Sequence, residues 1–358
     1  MKVNLIDQAL IACTDDMCQK NVRSIDISTF NSELIMQKFK QNNISVEKLL
    51  PLVTSFNQEE TRKAIADQAS KDRSNRERWI QLLKFVSNLL RTHAIQHVFI
   101  KALKYPYAIM GDLDILTLNY SEELKALEIL HKVGFAIFKL RILLDHPLKL
   151  MALKPIQNSI PMTPLDFYPD LFTNRRKKVC DSVITISRKK LSNIGDVEVF
   201  VPSPEDDLYL IGTHAYGHLR FTLAEILHGL EVLCNSKSFD WEYLFNLAQS
   251  YGTQDAVYLY MKILEEYSKA FRPYSCINGD FLNICEKSKI CRKIRSWFKK
   301  KCLNVIDFPV RIPSRIGCVY SSIHHCKIMW GRMPFPDILY DFLTHYLTLF
   351  SMAIWGEM

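Results

Sequence analysis

The sequence predicts an α+β fold, with a small mixed sheet flanked by N-terminal helices and a C-terminal helical domain. Apolar residues recur at helical spacing before residue 97 and again after residue 203, and the segment between them holds short apolar runs typical of strands. The length of 358 residues suits more than one domain at roughly 100–200 residues each. We therefore predict an N-terminal helical region at 1–96, an α/β domain at 97–200 and a helical domain at 201–358.

The clearest N-terminal helix is predicted from Arg76 to about Gln96, where apolar residues recur at i, i+3, i+4 and i+7. The pattern then changes to short apolar segments separated by turn residues, which predicts the small sheet. The predicted strands cover residues 97–100, 113–118, 135–138 and 165–168.

A helix is predicted between the second and third strands. Ser121 is the candidate N-cap, and Glu122 and Glu123 suit the positive end of the helix dipole. Gly134 suits the left-handed conformation that ends a helix. Together these signals predict a compact strand–helix–strand unit.

Helical periodicity returns after residue 203. Ser203 as N-cap and Pro204 at the first helical position form a strong start signal. Two further helices are predicted to begin at Asp240 and Thr253, with Gly252 between them, as an antiparallel pair.

The composition is typical of a folded protein, with 48% hydrophobic and 23% charged residues. The N-terminus lacks the apolar core of a secretory signal. The apolar stretch at 342–355 is interrupted by polar residues and is too short for a membrane span, so we interpret it as a buried terminal helix. These observations predict a cytoplasmic protein with no membrane partner.

The ten cysteines form no CxxC pair, which favours reduced thiols over a zinc ribbon or a disulfide framework. An alternative is that several of them meet in space as a zinc site, although their spacing matches no known structural motif. The candidate ligands of that site are Cys276, Cys285, Cys291, His324, His325 and Cys326.

Two carboxylates, Asp112 and Asp114, are separated by one residue in the predicted second strand. Because side chains alternate across a strand, both acids face one side, while Leu113 and Ile115 face the other. Two such acids repel each other unless a positive charge compensates them, and Mg²⁺ binds carboxylate oxygens together with water and phosphate oxygens. The pattern therefore predicts a divalent-cation site; the alternative is two solvent-facing acids on an edge strand.

The segment around these acids resembles a family of uncharacterised nucleotidyltransferases in the DNA polymerase beta-like superfamily. The family's pattern is an apolar strand, Lys-Gly, a short connection, Asp-Ile-Asp-Leu-Leu-Val, a helix, and a Gly-Tyr or Gly-Phe that enters the next strand; residues 98–138 follow this order. Residues 164–168, after His146, are similar to the family's third-carboxylate strand, and residues from 201 onward are similar to its helical C-terminal half. The resemblance spans roughly residues 75–265.

The resemblance implies a nucleotidyltransferase-type sheet on which Asp112, Asp114 and Asp166 hold two Mg²⁺ ions around ATP or another nucleoside triphosphate. It implies transfer of a nucleotidyl group to an unknown acceptor, with Asp166 also serving as the base for the acceptor hydroxyl. Lys101 is expected to pair with the phosphates of the nucleotide. The residues expected to contact the nucleotide are Lys101, Ala102 and Gly111.

The chain departs from the family's pattern at three places. Ala102 replaces the glycine at which the triphosphate approaches the backbone, and residues 107–110 lack the arginine found ahead of the acidic pair. Tyr168-Pro169 replaces the His-Trp that follows the third acid. These departures motivate an alternative, a catalytically degenerate nucleotidyltransferase fold that binds nucleotide, RNA or a protein partner without turnover.

The net charge of +8 is concentrated in three basic clusters, at residues 175–178, 188–190 and 292–301. Such clusters attract phosphate groups, so they are candidate contacts for a triphosphate, an RNA or a protein partner. A third hypothesis is nucleic-acid binding through these segments alone; the structural alternative is a set of solvated faces.

His214 and His218 form an HxxxH pattern on one face of a predicted helix, a spacing that suits a metal ion. Leu210 and Ile211 lie on or beside that face. We therefore interpret both histidines as hydrogen-bonded packing residues rather than ligands.

Overall fold

The computed structural model describes a mixed helix and strand protein. The described residues are 2–3, 32–56, 58–104, 108, 111–138, 150–153, 163–168, 171–172, 178–217, 220–236, 238–271, 277, 279–285, 305–306 and 310–311. The α-helices are α1 (Ser32–Gln41), α2 (Glu59–Thr92), α3 (Tyr120–Lys132), α4 (Ser182–Ser187), α5 (Pro204–Gly217), α6 (Leu223–Asn235), α7 (Trp241–Ser250), α8 (Gln254–Phe271) and α9 (Gly279–Cys285). Two 3-10 helices cover Val46–Ser55 and Ala102–Lys104.

A mixed sheet is present, as the sequence predicts, but it has five strands where four were predicted, because the strand Leu150–Leu153 was missed. The strands are β1 (His97–Phe99), β2 (Leu113–Thr117), β3 (Ala136–Phe138), β4 (Leu150–Leu153) and β5 (Leu165–Tyr168). Their order in the sheet is β1-β2-β5-β4-β3, with β2 and β5 parallel and every other neighbouring pair antiparallel.

The remaining strands form small antiparallel or parallel pairs. β6 (Leu171–Phe172) pairs with β7 (Lys178–Cys180), and β8 (Lys190–Ile194) pairs with β9 (Val197–Val201) as a hairpin. The two-residue strands Lys2–Val3 and Val305–Ile306 pair with each other, as do Arg220–Phe221 and Val310–Arg311. The predicted division at residues 97 and 201 stays a prediction.

The five-stranded sheet lies between two apolar clusters. The α3-side cluster includes Trp79, Leu83, Leu113, Ile115, Ala126, Leu130, Leu165 and Phe167. The α5-side cluster includes Val98, Leu116, Tyr168, Leu208, Tyr209 and Tyr260. Because neighbouring side chains on a strand alternate between faces, Asp114 and Asp166 share the face of Leu116 and Tyr168. The acids therefore lie on the side of the sheet that packs against the C-terminal helices.

Helix α2 contributes to both clusters. Its Ile65 packs in the α5-side cluster, whereas Trp79 packs in the α3-side cluster. The helix begins at Glu59 and ends at Thr92, so the predicted start at Arg76 and the predicted end near Gln96 are both too late. Residues 70–78 are all polar or charged, and the interrupted apolar stripe hid the first half of the helix.

Asp72 fills the buried position in that polar stretch. Its Oδ2 accepts hydrogen bonds from the Val46 amide at 2.7 Å and from the Ser45 hydroxyl at 3.3 Å, and its Oδ1 accepts from Gln68 at 2.8 Å. Burial of a carboxylate costs less free energy when several donors bind it. Asp72 also provides a partner for the backbone amide of Val46, which begins the Val46–Ser55 3-10 helix.

The N-terminus of α3 corrects the predicted cap. Asn119, and not Ser121, is the N-cap, because its side-chain oxygen accepts from the Glu122 amide at 3.0 Å and the helix begins at Tyr120. Asn and Ser both cap helices well, so the sequence alone did not distinguish Asn119 from Ser121. Gly134 has φ +92, which confirms the predicted left-handed end.

The starts of the later helices are confirmed. Helix α5 begins at Pro204, and the Ser203 hydroxyl accepts from the Asp206 amide at 3.3 Å. The Asp240 carboxylate accepts from the Tyr243 amide at 2.8 Å, and α7 begins one residue after Asp240. Gly252, with φ +60, separates α7 from α8.

The cysteines differ in part from the prediction. Cys180 is buried and reduced, whereas Cys234 is disulfide-bonded, so the prediction of reduced thiols is wrong at Cys234. The predicted terminal helix at 342–355 lies outside the described residues, as do all members of the Cys/His group except Cys285, whose backbone ends α9. No helix in the described part of the chain has the length and hydropathy needed to cross a bilayer.

Glu123 is buried in the first turn of α3, and neither of its carboxylate oxygens has a hydrogen-bond partner. Burial raises the pKa of this carboxyl from 4.5 to about 8. At neutral pH the group is therefore mostly protonated, so Glu123 does not supply the negative charge that the sequence predicts at this helix end. Glu122 accepts a hydrogen bond from the Gln96 amide at 3.2 Å and retains a lowered pKa because of Lys125.

We expect Glu123→Gln to change the pH dependence of stability. The folded protein binds a proton at Glu123 between pH 4.5 and about 8 that the unfolded chain releases, so stability falls as pH rises through this window. The slope is at most about 1.4 kcal/mol per pH unit. Urea unfolding from pH 5 to 9 should show that Glu123→Gln removes this slope, while Glu128→Gln on the exposed face of α3 keeps it. Parallel pH profiles for wild type and Glu123→Gln would contradict the assignment.

Candidate metal centre

Three carboxylates converge at one end of the β2–β5 pair. Asp112, Asp114 and Asp166 each offer an oxygen, and these three atoms all lie within 4.8 Å of one another. Asp114 and Asp166 are direct partners in the parallel ladder, which places them side by side on the same face. The proximity predicted from the resemblance is therefore present in the structure.

Asp112 differs in its setting from the other two acids. Strand β2 begins at Leu113, so Asp112 lies one residue before the strand and not within it. Its carbonyl oxygen accepts a hydrogen bond from the Trp79 indole at 2.9 Å, which ties this turn to α2. Asp112 is partly exposed, whereas Asp114 and Asp166 are buried, so the group opens to solvent on the Asp112 side.

Lys101 lies beside the acids. Its ammonium nitrogen is 3.1 Å from Asp114 Oδ2, and its side chain is 15% exposed. The Ile100 amide donates to the Asp114 carbonyl at 3.1 Å, so pairing continues from β1 up to the residue before Lys101. Lys101 itself has φ +59, a left-handed conformation that costs about 1 kcal/mol or more for a residue with a Cβ. This turn directs the lysine side chain to the acids.

Tyr168 is the functional candidate that the sequence analysis missed. Its hydroxyl donates to Asp114 Oδ1 at 2.8 Å, and the side chain is buried. In the sequence, Tyr168 is notable only as a departure from the family's pattern. The signal was present, because residue 168 is two positions after Asp166 in a strand and so shares its face.

The charges of the neighbouring groups follow from their environment. Burial alone lowers the pKa of Lys101, but the carboxylates of Asp114, Asp112 and Asp166 outweigh it and raise that pKa, so the ammonium stays charged. Burial, followed by the same carboxylates, raises the pKa of Tyr168 well above its usual range. Tyr168 therefore acts as a neutral donor and Lys101 as a cation.

The donor set fits Mg²⁺. Two oxygens on one Mg²⁺ lie at most about 4.2 Å apart for Mg–O distances of about 2.1 Å, and paired ions in one site lie about 3.5–4 Å apart. Oxygens within 4.8 Å of one another can share a pair of ions. They can also bind a single ion if the carboxylates move slightly closer together. Hard carboxylate oxygens with an open, partly exposed side are the ligands that Mg²⁺ takes alongside water and phosphate.

Ala102 and Gly111 occupy contrasting positions. Ala102 is buried, packs in the α3-side cluster and begins the Ala102–Lys104 3-10 helix. Its methyl group therefore lies in the core, and the residue with positive φ is Lys101. Gly111 is exposed, and a Cβ added there would meet no atom within 4 Å.

The other candidates from the sequence lie apart from this group. Among the described residues, Asp112, Asp114 and Asp166 form the one set of three or more His, Cys, Asp or Glu side chains close enough to share a metal ion. His214 is half-buried on α5, and His218 lies outside the described residues. Arg188 forms ion pairs with Glu205 and Asp206, which indicates a structural role.

No protein family model, curated protein or solved structure matches this chain. The resemblance to nucleotidyltransferases thus stays a prediction based on the order and spacing of short motifs.

We expect Tyr168→Phe to destabilise the protein by about 1.5–3 kcal/mol, because it removes a hydrogen bond to a buried carboxylate. Urea unfolding at neutral pH measures the change. Tyr120→Phe is the matched control, because Tyr120 is 44% exposed at the start of α3. Equal stability of the two variants would show that the hydroxyl of Tyr168 contributes nothing to holding Asp114.

Proposed function

We propose that this protein is a Mg²⁺-dependent nucleotidyltransferase that transfers a nucleotidyl group from ATP or another nucleoside triphosphate to a hydroxyl or amine acceptor. One observation carries the proposal: Asp112, Asp114 and Asp166 bring carboxylate oxygens within 4.8 Å of one another, with the Lys101 ammonium beside them. A group of two buried acids and one partly exposed acid, with an adjacent cation, suits a polyphosphate bound through metal ions. The arrangement of the sheet as a nucleotidyltransferase fold is part of the same proposal.

Each residue has a role in the proposed reaction. The acceptor oxygen or nitrogen attacks the α-phosphorus, the bond to the β-phosphate oxygen breaks, and pyrophosphate leaves. Bound Mg²⁺ supplies Lewis acidity at the attacking and departing atoms. Asp112, Asp114 and Asp166 hold the ions, Asp166 accepts the acceptor's proton, and Lys101 pairs with phosphate oxygens.

We expect Asp112→Asn combined with Asp114→Asn to abolish binding of Mg·ATP, since the metal would lose two of its three carboxylates. Calorimetry with ATP and Mg²⁺ measures binding, and pyrophosphate release with a panel of hydroxyl and amine acceptors measures turnover. The control is Asp67→Asn combined with Asp196→Asn, which removes the same charge from exposed positions. Equal heats from wild type and the Asp112/Asp114 variant would count decisively against the proposal.

A second candidate is a nucleotide- or RNA-binding module of the same fold without turnover. The contacts of Asp114 favour it, because Lys101 already neutralises one carboxylate oxygen and Tyr168 donates to the other. The Asp114 carboxylate therefore has two donor partners without a metal ion. Tight binding of ATP or RNA with no pyrophosphate release from any acceptor would select this candidate, and clear pyrophosphate formation would remove it.

A further inference from the structure

Lys101 is held at the acids by an unusual backbone conformation. Its φ of +59 is one of three positive values at non-glycine residues in the described part of the chain, and the other two, Asn43 and Ala94, lie next to helix ends. Lys101 lies between β1 and the Ala102–Lys104 3-10 helix, and its ammonium is 3.1 Å from Asp114 Oδ2. Left-handed strain in a bulky residue is commonly retained where the side chain has a function.

We propose that Lys101 is a resident counter-ion of the site, which competes with a divalent cation for Asp114 and moves from Asp114 to phosphate when metal and nucleotide bind together. The inference rests on the proposed function and goes beyond it, because it makes metal binding depend on the nucleotide. The metal site is then weak in the absence of nucleotide and strong in its presence.

Charge balance supports this competition. If all three carboxylates are ionised, they and the Lys101 ammonium carry a local charge of −2. A second cation close to Asp114 meets the repulsion of Lys101, which is substantial at separations of about 4 Å inside a protein. A triphosphate adds negative charge and offers Lys101 new oxygen partners, which removes that repulsion. Each ligand therefore strengthens the binding of the other.

Tyr168 lets Asp114 keep its orientation while its charged partner changes. The Tyr168 hydroxyl binds Oδ1, and Lys101 binds Oδ2, so the two donors occupy different oxygens. A tyrosine hydroxyl carries no charge at neutral pH, so it does not repel a metal ion. When Lys101 leaves Oδ2, the Tyr168 hydroxyl can therefore still hold Oδ1.

Titration of Mn²⁺ into nucleotide-free protein tests the competition. Lys101→Met removes the ammonium and keeps an unbranched side chain, so we expect it to bind Mn²⁺ about tenfold more tightly than wild type, which reflects the lost repulsion. Lys101→Arg keeps the charge and should bind as weakly as wild type. Lys132→Met is the matched control, because that exposed lysine pairs with Glu128 on the surface of α3.

The same titration with a non-hydrolysable ATP analogue tests the coupling. The analogue should raise the Mn²⁺ affinity of wild type and of Lys132→Met strongly, and that of Lys101→Met much less. Equal Mn²⁺ affinity of wild type and Lys101→Met, with or without the analogue, would overturn the inference and leave the proposed function standing. Absence of Mn²⁺ binding to every variant, with and without the analogue, would remove both.

The movement of Lys101 can also be tested in the wild-type protein, so the result does not depend on whether a variant folds. Lysine acetylation with acetic anhydride, read by mass spectrometry, reports how accessible each ammonium group is. Lys101 should be protected in the free protein, more reactive with saturating Mn²⁺ and protected again with Mn²⁺ and the ATP analogue. Unchanged labelling of Lys101 across these states would contradict its movement.

Discussion

The site depends on the electrostatic balance between Asp114, Asp166 and Lys101. The parallel register of β2 and β5 places the two buried acids side by side, where like charges repel. The Lys101 ammonium, 3.1 Å from Asp114, offsets part of that repulsion. The left-handed turn at Lys101 and the Tyr168 hydrogen bond both serve to maintain this balance.

The apolar packing around the sheet keeps the acids in these positions. Leu113 and Ile115 fix β2 against the α3-side cluster, so the intervening Asp114 has no alternative face on which to reach solvent. Trp79 of α2 holds the Asp112 carbonyl and so positions the partly exposed acid at the edge of the group. The same core that stabilises the sheet therefore concentrates negative charge at one end of it, which is the condition that favours a bound cation.

The sequence predicted those features that depend on local pattern. Strand β5 has the predicted bounds, and Ser203 and Asp240 cap helices as expected, because alternation and capping are read from adjacent residues. Predictions from local pattern were wrong where two neighbouring residues could both cap a helix, as at Asn119 and Ser121. They were also wrong where a buried polar residue such as Asp72 interrupted an apolar stripe.

Features of the site that depend on long-range contacts were harder to predict. The hydrogen bond from Tyr168 to Asp114 joins residues 54 positions apart, and no local pattern encodes the pairing of their strands. The positive φ of Lys101 was equally hard to predict, because lysine does not favour that conformation. Glycine favours it, and the family's pattern places a glycine one position later, where this chain has Ala102. Burial likewise decided that Glu123 is neutral, against the local rule for acids in a first helical turn.

Crystallography with Mn²⁺ and a non-hydrolysable ATP analogue tests the central claim most directly, because anomalous scattering locates the metal. The account predicts anomalous density between the carboxylates of Asp112, Asp114 and Asp166, with the analogue's phosphates adjacent and the Lys101 ammonium directed to them. Density for the analogue at another surface, with no anomalous peak among these acids and Lys101 still paired with Asp114, would contradict it.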